Sequence, residues 1–254
     1  FNNKESQKIY LMYEFVNKRF HDLLKEQSLG PFLNRLRLVK NIIDIIIYLH
    51  TNGIISLDIS PFSIGVTGEK HETKILTFGN SIKLTGEAYD VLRESWFDRS
   101  LFDFFTAPEI YLNKSNLLRY IWSADIWSLG ILFYIMFRDD YNQFYLKLDE
   151  TFADKEHEIY TDDREYVAEK FFEIFDMNQI KNPLIKALIT SMVKMDFIER
   201  PNIFEVADNY NKICRILELD ESYEVVYKRQ DVFAFTKVYD KATYDLIADK
   251  RVEK

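Results

Sequence analysis

One carboxylate set among hydroxyls is the part of this chain that looks most capable of chemistry: the run Ile54-Ile55-Ser56-Leu57-Asp58-Ile59-Ser60-Pro61-Phe62-Ser63-Ile64, with Thr77 further on. A loop carboxylate such as Asp58 could work as a general base. Ser60, Ser63 and Thr77 could coordinate a cation only weakly, because hard divalent ions favour charged or strongly polar oxygen donors. Lacking such donors beside it, Asp58 reads first as an acceptor of loop hydrogen bonds. The three hydroxyls read as solvated or bonded to their own backbone. Other titratable groups add little. His50 falls at a helix end, while His21, His71 and His157 have no ligand spacing. The single cysteine, Cys214, excludes an internal disulfide or a cysteine metal cluster and reads as a buried, inert thiol.

The elements that must position this loop are legible on both sides of it. Residues 8–16 are rich in β-branched and aromatic side chains and predict a strand. A short helix is expected over 20–26. After Gly30-Pro31, apolar residues from Leu33 to Leu49 recur at helical spacing until Gly53, predicting a long buried helix that leads into the loop. Short extended pieces at 64–67 and 74–76, separated by Gly68-Glu69, follow it. From Ser123 onward the pattern is helical, with Leu129, Leu132, Phe133 and Met136 on one face and further helices over 171–175, 184–192 and 203–216. The polar stretch 149–164 reads as a surface insertion. Residues 218–254 carry too many apolar side chains for a free tail, so this extension is expected to dock on its own domain or on a neighbour.

Composition narrows the function classes. The chain has 254 residues, 47% of them hydrophobic, which is enough for a sizeable core. Its net charge of −8 argues against coating nucleic acid, which needs a dense basic surface. Residues 42–49 and 129–137 are too short or too interrupted to cross a bilayer, so no membrane span is expected. No signal-peptide pattern is present, and a cytoplasmic location is expected. The chain opens on Phe1 rather than Met, and its beginning is expected to be trimmed, processed or missing.

Four islands then appear in a fixed order: the Leu57-Asp58 loop, Thr77-Phe78-Gly79, Ala107-Pro108-Glu109, and Asp125-Ile126-Trp127-Ser128-Leu129-Gly130, with Glu199-Arg200-Pro201 beyond them. Their order and spacing resemble the C-terminal lobe of the eukaryotic protein kinases, over residues 9–216. The approach Tyr48-Leu49-His50-Thr51-Asn52-Gly53-Ile54-Ile55 is similar to the family's lead into its catalytic loop. The resemblance implies a mainly α fold, a kinase-like large lobe over 1–217 with a few short strands and its small lobe absent or not included. The hinge strand 8–16 would stand at its start, with hinge remnants Tyr13, Glu14, Phe15 and Val16. It also implies structural roles for Glu109 paired with Arg200, for Asp125 as a tether of the catalytic-loop backbone, and for His50.

The same resemblance implies lost chemistry. In this family an acidic group orients the substrate hydroxyl, a lysine neutralises the moving phosphoryl group, and an asparagine and an aspartate hold magnesium. Asp58 keeps the first position, while Ser60, Ser63 and Thr77 stand at the others. Ser56 and Leu57 replace the histidine and arginine before the aspartate, and Gly65 stands where an aliphatic side chain would lie under adenine, which thins the floor of the nucleotide site. None of the 7 glycines forms a phosphate loop. No catalytic, ATP-binding or magnesium-binding residues are therefore expected, and a pseudokinase acting as a scaffold subunit is the leading expectation. The alternatives are a residual ATP-binding or weakly active kinase that uses Asp58, and a regulatory subunit of an active kinase. An apolar, unpaired strand at 9–16 should be covered by a protein partner or an unseen small lobe. Of the aromatics at Trp96, Phe97, Phe102, Phe104 and Phe105, packing is the first expectation and interface anchoring the second.

Overall fold

A computed structural model of the chain describes residues 2–3, 8–9, 15–67, 72–84, 104–111, 121–138, 140, 144 and 175–219. Among these the architecture is mainly helical, with short strands gathered in the first third. Strands β1 (Asn2–Asn3) and β2 (Lys8–Ile9) pair antiparallel, with Asn2 opposite Ile9. Then come β3 (Lys18–Arg19), α1 (Phe20–Lys25), α2 (Phe32–Thr51) and β4 (Ile54–Ile55). Strands β5 (Ile64–Thr67), β6 (Glu72–Ile75) and β7 (Ile82–Lys83) complete the β content. Helices α3 (Pro108–Tyr111), α4 (Trp122–Met136), α5 (Pro183–Met192) and α6 (Ile203–Ile216) build the rest.

Each long helix forms for a reason visible in its residues. On α2, Leu36, Val39, Ile43, Ile46, Ile47 and His50 turn inward at helical spacing. The helix ends where Gly53 takes φ +68°, a left-handed conformation that glycine adopts without a Cβ clash. Helix α4 is buried from Ser123 to Met136, all round, as its unbroken apolar sequence requires. Asn182 caps α5 through the Leu184 and Ile185 amides, with Pro183 following it. Asn202 and Glu205 form a reciprocal capping box on α6. Helix α4 packs on α5 and α2 on α6. The Tyr210 hydroxyl fastens α6 to α2 by donating to the Leu36 carbonyl at 2.9 Å.

Two expectations need correction here. The strand expected over 8–16 does not reach its expected end: Lys8 and Ile9 are strand, Phe15 and Val16 lie outside any strand, and 10–14, including Tyr13 and Glu14, fall outside the described residues. Nor is Ile9 unpaired, because Asn2 stands opposite it, and this hairpin supplies part of a small lobe. A second sheet, ordered β3-β5-β6, sets Arg19 opposite Gly65 and Gly65 opposite Lys74. The third, β4-β7, sets Ile55 opposite Ile82 across the base of the Asp58 loop. The insertion 149–164, most of the segment 83–106, and the extension from 220 onward lie outside the described residues, as do 171–174 of the expected helix at 171–175. Phe175 is buried but not helical. Among the described residues, no helix is long and apolar enough to cross a membrane.

Candidate functional site

The loop from Ser56 to Ser63 hangs between β4 and β5, and the buried N-terminal turn of α4 fixes it from beneath. Asp125, with 0% of its surface exposed, accepts the Ser56 amide on Oδ2 at 2.8 Å and the Leu57 amide on Oδ1 at 2.7 Å. His50 Nε2 lies 2.9 Å from the same Oδ2, so the end of α2, the loop and the start of α4 share one carboxylate. Such a charge withstands burial because each of its oxygens is hydrogen-bonded. Leu57 sits at φ +54°, a region that costs a branched residue free energy and persists only where its surroundings hold it. From the other side, the Ser81 hydroxyl donates to the Ser56 carbonyl at 3.2 Å.

A second carboxylate organises the opposite edge. Glu109 and Arg200 are both buried and meet in a two-pronged pair, Nη1 to Oε1 at 2.6 Å and Nη2 to Oε2 at 2.8 Å. The same guanidinium donates to the carbonyls of Ser123 at 3.0 Å and Lys194 at 2.8 Å, and its carbon stands 4.9 Å from the centre of the Trp127 ring. The planar fork of arginine suits this geometry, which a lysine could not reproduce. Phe104 and Phe105 are buried, and the Ser128 hydroxyl reaches the Phe105 carbonyl at 2.7 Å. These two aromatics pack. Trp96, Phe97 and Phe102 lie outside the described residues.

The positions that could hold phosphate or metal are arranged differently. Asp58 is half-buried on the loop. Ser63 turns its hydroxyl back on the loop, accepting the Ser60 amide at 2.9 Å and donating to the Ser60 carbonyl at 3.0 Å. The Ser60 hydroxyl accepts the Phe62 amide at 3.3 Å, and Thr77 Oγ1 accepts the Gly79 amide at 3.2 Å. All three hydroxyls are thus taken up in short local turns. Among the described residues, no three His, Cys, Asp or Glu side chains gather as a metal site. Neutral hydroxyls committed to backbone do not fit magnesium, which demands an octahedron of strong oxygen donors.

At Gly65, where a thinned floor was expected, two side chains from elsewhere in the chain stand close to the backbone. A Cβ built on Gly65 would stand 2.7 Å from Leu76 Cδ2, 2.8 Å from Val16 Cγ1 and 3.0 Å from Val16 Cβ. Gly65 is buried although it has no side chain of its own. Sequence reasoning named Val16 only as a hinge remnant and Leu76 only as part of an extended piece, because their approach to Gly65 is tertiary. On the loop itself, Phe62 stacks on His21 with ring centres 4.4 Å apart, and Phe15 is 80% exposed. Burial, its largest influence, lowers the pKa of His21; Asp22 opposes this, and Lys25 and Arg19 reinforce it.

Comparison with known proteins agrees with this layout. The sequence model of the protein kinase domain matches residues 2–210. Mitogen-activated protein kinase 12 of Homo sapiens is 32% identical over 124 residues, covering 48% of this chain and 30% of that protein. Cyclin-dependent kinase B1-1 of Arabidopsis thaliana is 26% identical over 137 residues, covering 51% and 41%. The eIF-2-alpha kinase GCN2 of Schizosaccharomyces pombe is 26% identical over 139 residues, covering 50% and 8%. The aligned stretch spans less than half the length of each relative. With a domain match across most of its length and the two buried carboxylates holding loop and helices together, the chain belongs to the protein kinase domain family.

Proposed function

We propose that this chain is a degenerate kinase-like domain, a pseudokinase, whose large lobe serves as a rigid protein-interaction module in a larger assembly. The observation that carries this reading is the Ser63 hydroxyl, locked onto Ser60 in both directions at a position where a metal ligand would be needed. Phosphoryl transfer depends almost wholly on positioning and charge stabilisation, so one loop carboxylate with the engaged hydroxyls of Ser60, Ser63 and Thr77 lacks most of what the reaction needs. The tethering carboxylates meanwhile keep the scaffold rigid, and rigidity is what an interaction surface requires. Exposed Phe15, at the end of the stretch 9–16, favours a protein partner over that face.

The second reading is a residual enzyme, favoured by Asp58 itself, which remains on the tethered loop. A regulatory subunit that biases an active kinase is the third. A thermal-shift titration with ATP, run with and without magnesium, separates the first two. The scaffold reading expects the same Tm in both series, and a magnesium-dependent rise of several degrees would favour the enzyme. Stoichiometric co-purification of an active kinase would favour the regulatory subunit.

A further inference from the structure

The last turn of α6 closes back on itself. Glu218 sits at φ +52°, its amide donates to the Arg215 carbonyl at 3.1 Å, and the Leu219 amide donates to the Cys214 carbonyl at 3.0 Å. In this paired closure a left-handed residue brings the chain back over the end of the helix. Leu219 is accordingly partly buried against the core. At helical spacing on the same face as Cys214, Ala207 and Asn211 look onto α2 across a shallow notch of about 190 Å³, its open side included. Ile43, Ile47 and Ala207 give the notch an apolar floor, and Lys40 and Asp44 form an ion pair at 3.6 Å on its rim. Asn211 is only 7% exposed, yet its carboxamide has no hydrogen-bond partner among the described residues. Buried amides are rarely left so, because their donors and their acceptor have both given up water. Burial also raises the pKa of Asp44 against the pull of Lys40, the mark of a carboxylate short of solvent.

We propose that the segment following Leu219 crosses this notch, with its backbone hydrogen-bonded to the Asn211 carboxamide and Val225 or Val226 seated on Ile43, Ile47 and Ala207. A carboxamide offers donors and an acceptor side by side, which is what extended backbone presents in return. The distance is short: from Cys214 back to Ala207 is about 10 Å of helix, and extended chain advances about 3.3 Å per residue. The sequence from Asp220 to Arg229 reaches that far and carries what the notch lacks, with acidic Asp220, Glu221 and Glu224 for Lys40, aliphatic Val225 and Val226 for the floor, and Lys228 and Arg229 for Asp44. A tethered segment needs little intrinsic affinity, since its effective concentration is high. The extension thus docks on its own domain, and the face between α2 and α6 is closed to other partners.

NMR on the full chain with labelled isoleucine and valine methyls tests this. Nuclear Overhauser contacts are expected from Val225 or Val226 to Ile43 or Ile47, unchanged on dilution. They should vanish in the combined variant Val225→Asp with Val226→Asp, together with a Tm lower by about 2–4 °C. Asn211→Ala should lower Tm in the wild-type background and leave it level or raise it in the combined variant, where the carboxamide has no partner to lose. Absence of the contacts in the folded wild type would overturn the proposal. So would contacts seen only between differently labelled copies, which would make a second copy the occupant, or an equal Asn211→Ala effect in both backgrounds. None of these readouts involves nucleotide or phosphoryl transfer, so the docked extension and the pseudokinase reading stand or fall separately.

Discussion

The Leu57 amide donates to Asp125 Oδ1 at 2.7 Å, so a carboxylate on a buried helix holds a leucine in the left-handed conformation at φ +54°. The second oxygen holds the Ser56 amide and meets His50. Asp125→Ala would leave two buried amides without an acceptor and release the strained residue. Each lost partner costs about 1–3 kcal/mol. The expected result is a destabilisation of about 3 kcal/mol or more in urea unfolding, with Asp125→Asn intermediate because only one of its two side-chain polar atoms can accept.

Glu109 and Arg200 form the other internal tie. Removing one partner of a buried pair strands the other's charge, at a cost of about 3–5 kcal/mol. Glu109→Gln should therefore destabilise strongly, although it keeps the shape. The double replacement Glu109→Leu with Arg200→Met should recover part of the loss. Single and double variants of equal cost in denaturant unfolding would show that the pair is not the unit.

His21 makes the fold sensitive to acid. Its folded pKa lies below the ordinary value of 6.5, chiefly through burial, so the folded state resists protonation more than the unfolded chain does. The associated stability is complete above the ordinary value and is lost as pH falls through the lowered one. Tm should fall between pH 7.5 and pH 5, and fall less in His21→Phe, which keeps a ring against Phe62. Parallel curves for the two proteins would assign the loss to other groups.

Much of the fold was legible because its causes are local. The apolar spacing of α2, the Asn202 and Glu205 capping box of α6 and the unbroken apolar run of α4 each write an element into consecutive residues. The same holds for the Ser60 and Ser63 turn, in which each partner lies within three residues of the other. What escaped notice depends on distant chain. Residues 8–16 have strand composition throughout, yet Phe15 and Val16 lie outside any strand, and Val16 instead meets the built Cβ position of Gly65, far along the chain. The glycine at 65 reads as a gap until Val16 and Leu76 are seen to stand close to its backbone. Leucine gives no sequence signal for positive φ, so the conformation of Leu57 is visible only beside Asp125.

Incorporation of radiolabel from γ-labelled ATP, with magnesium present, into a mixture of generic protein substrates tests the central claim most directly. The purified protein is predicted to transfer no label above a protein-free control, and Asp58→Asn to give the same trace. Incorporation by the wild type that disappears in Asp58→Asn would contradict the account, since it would mean that the hydroxyls of Ser60, Ser63 and Thr77 leave their turns to serve the reaction.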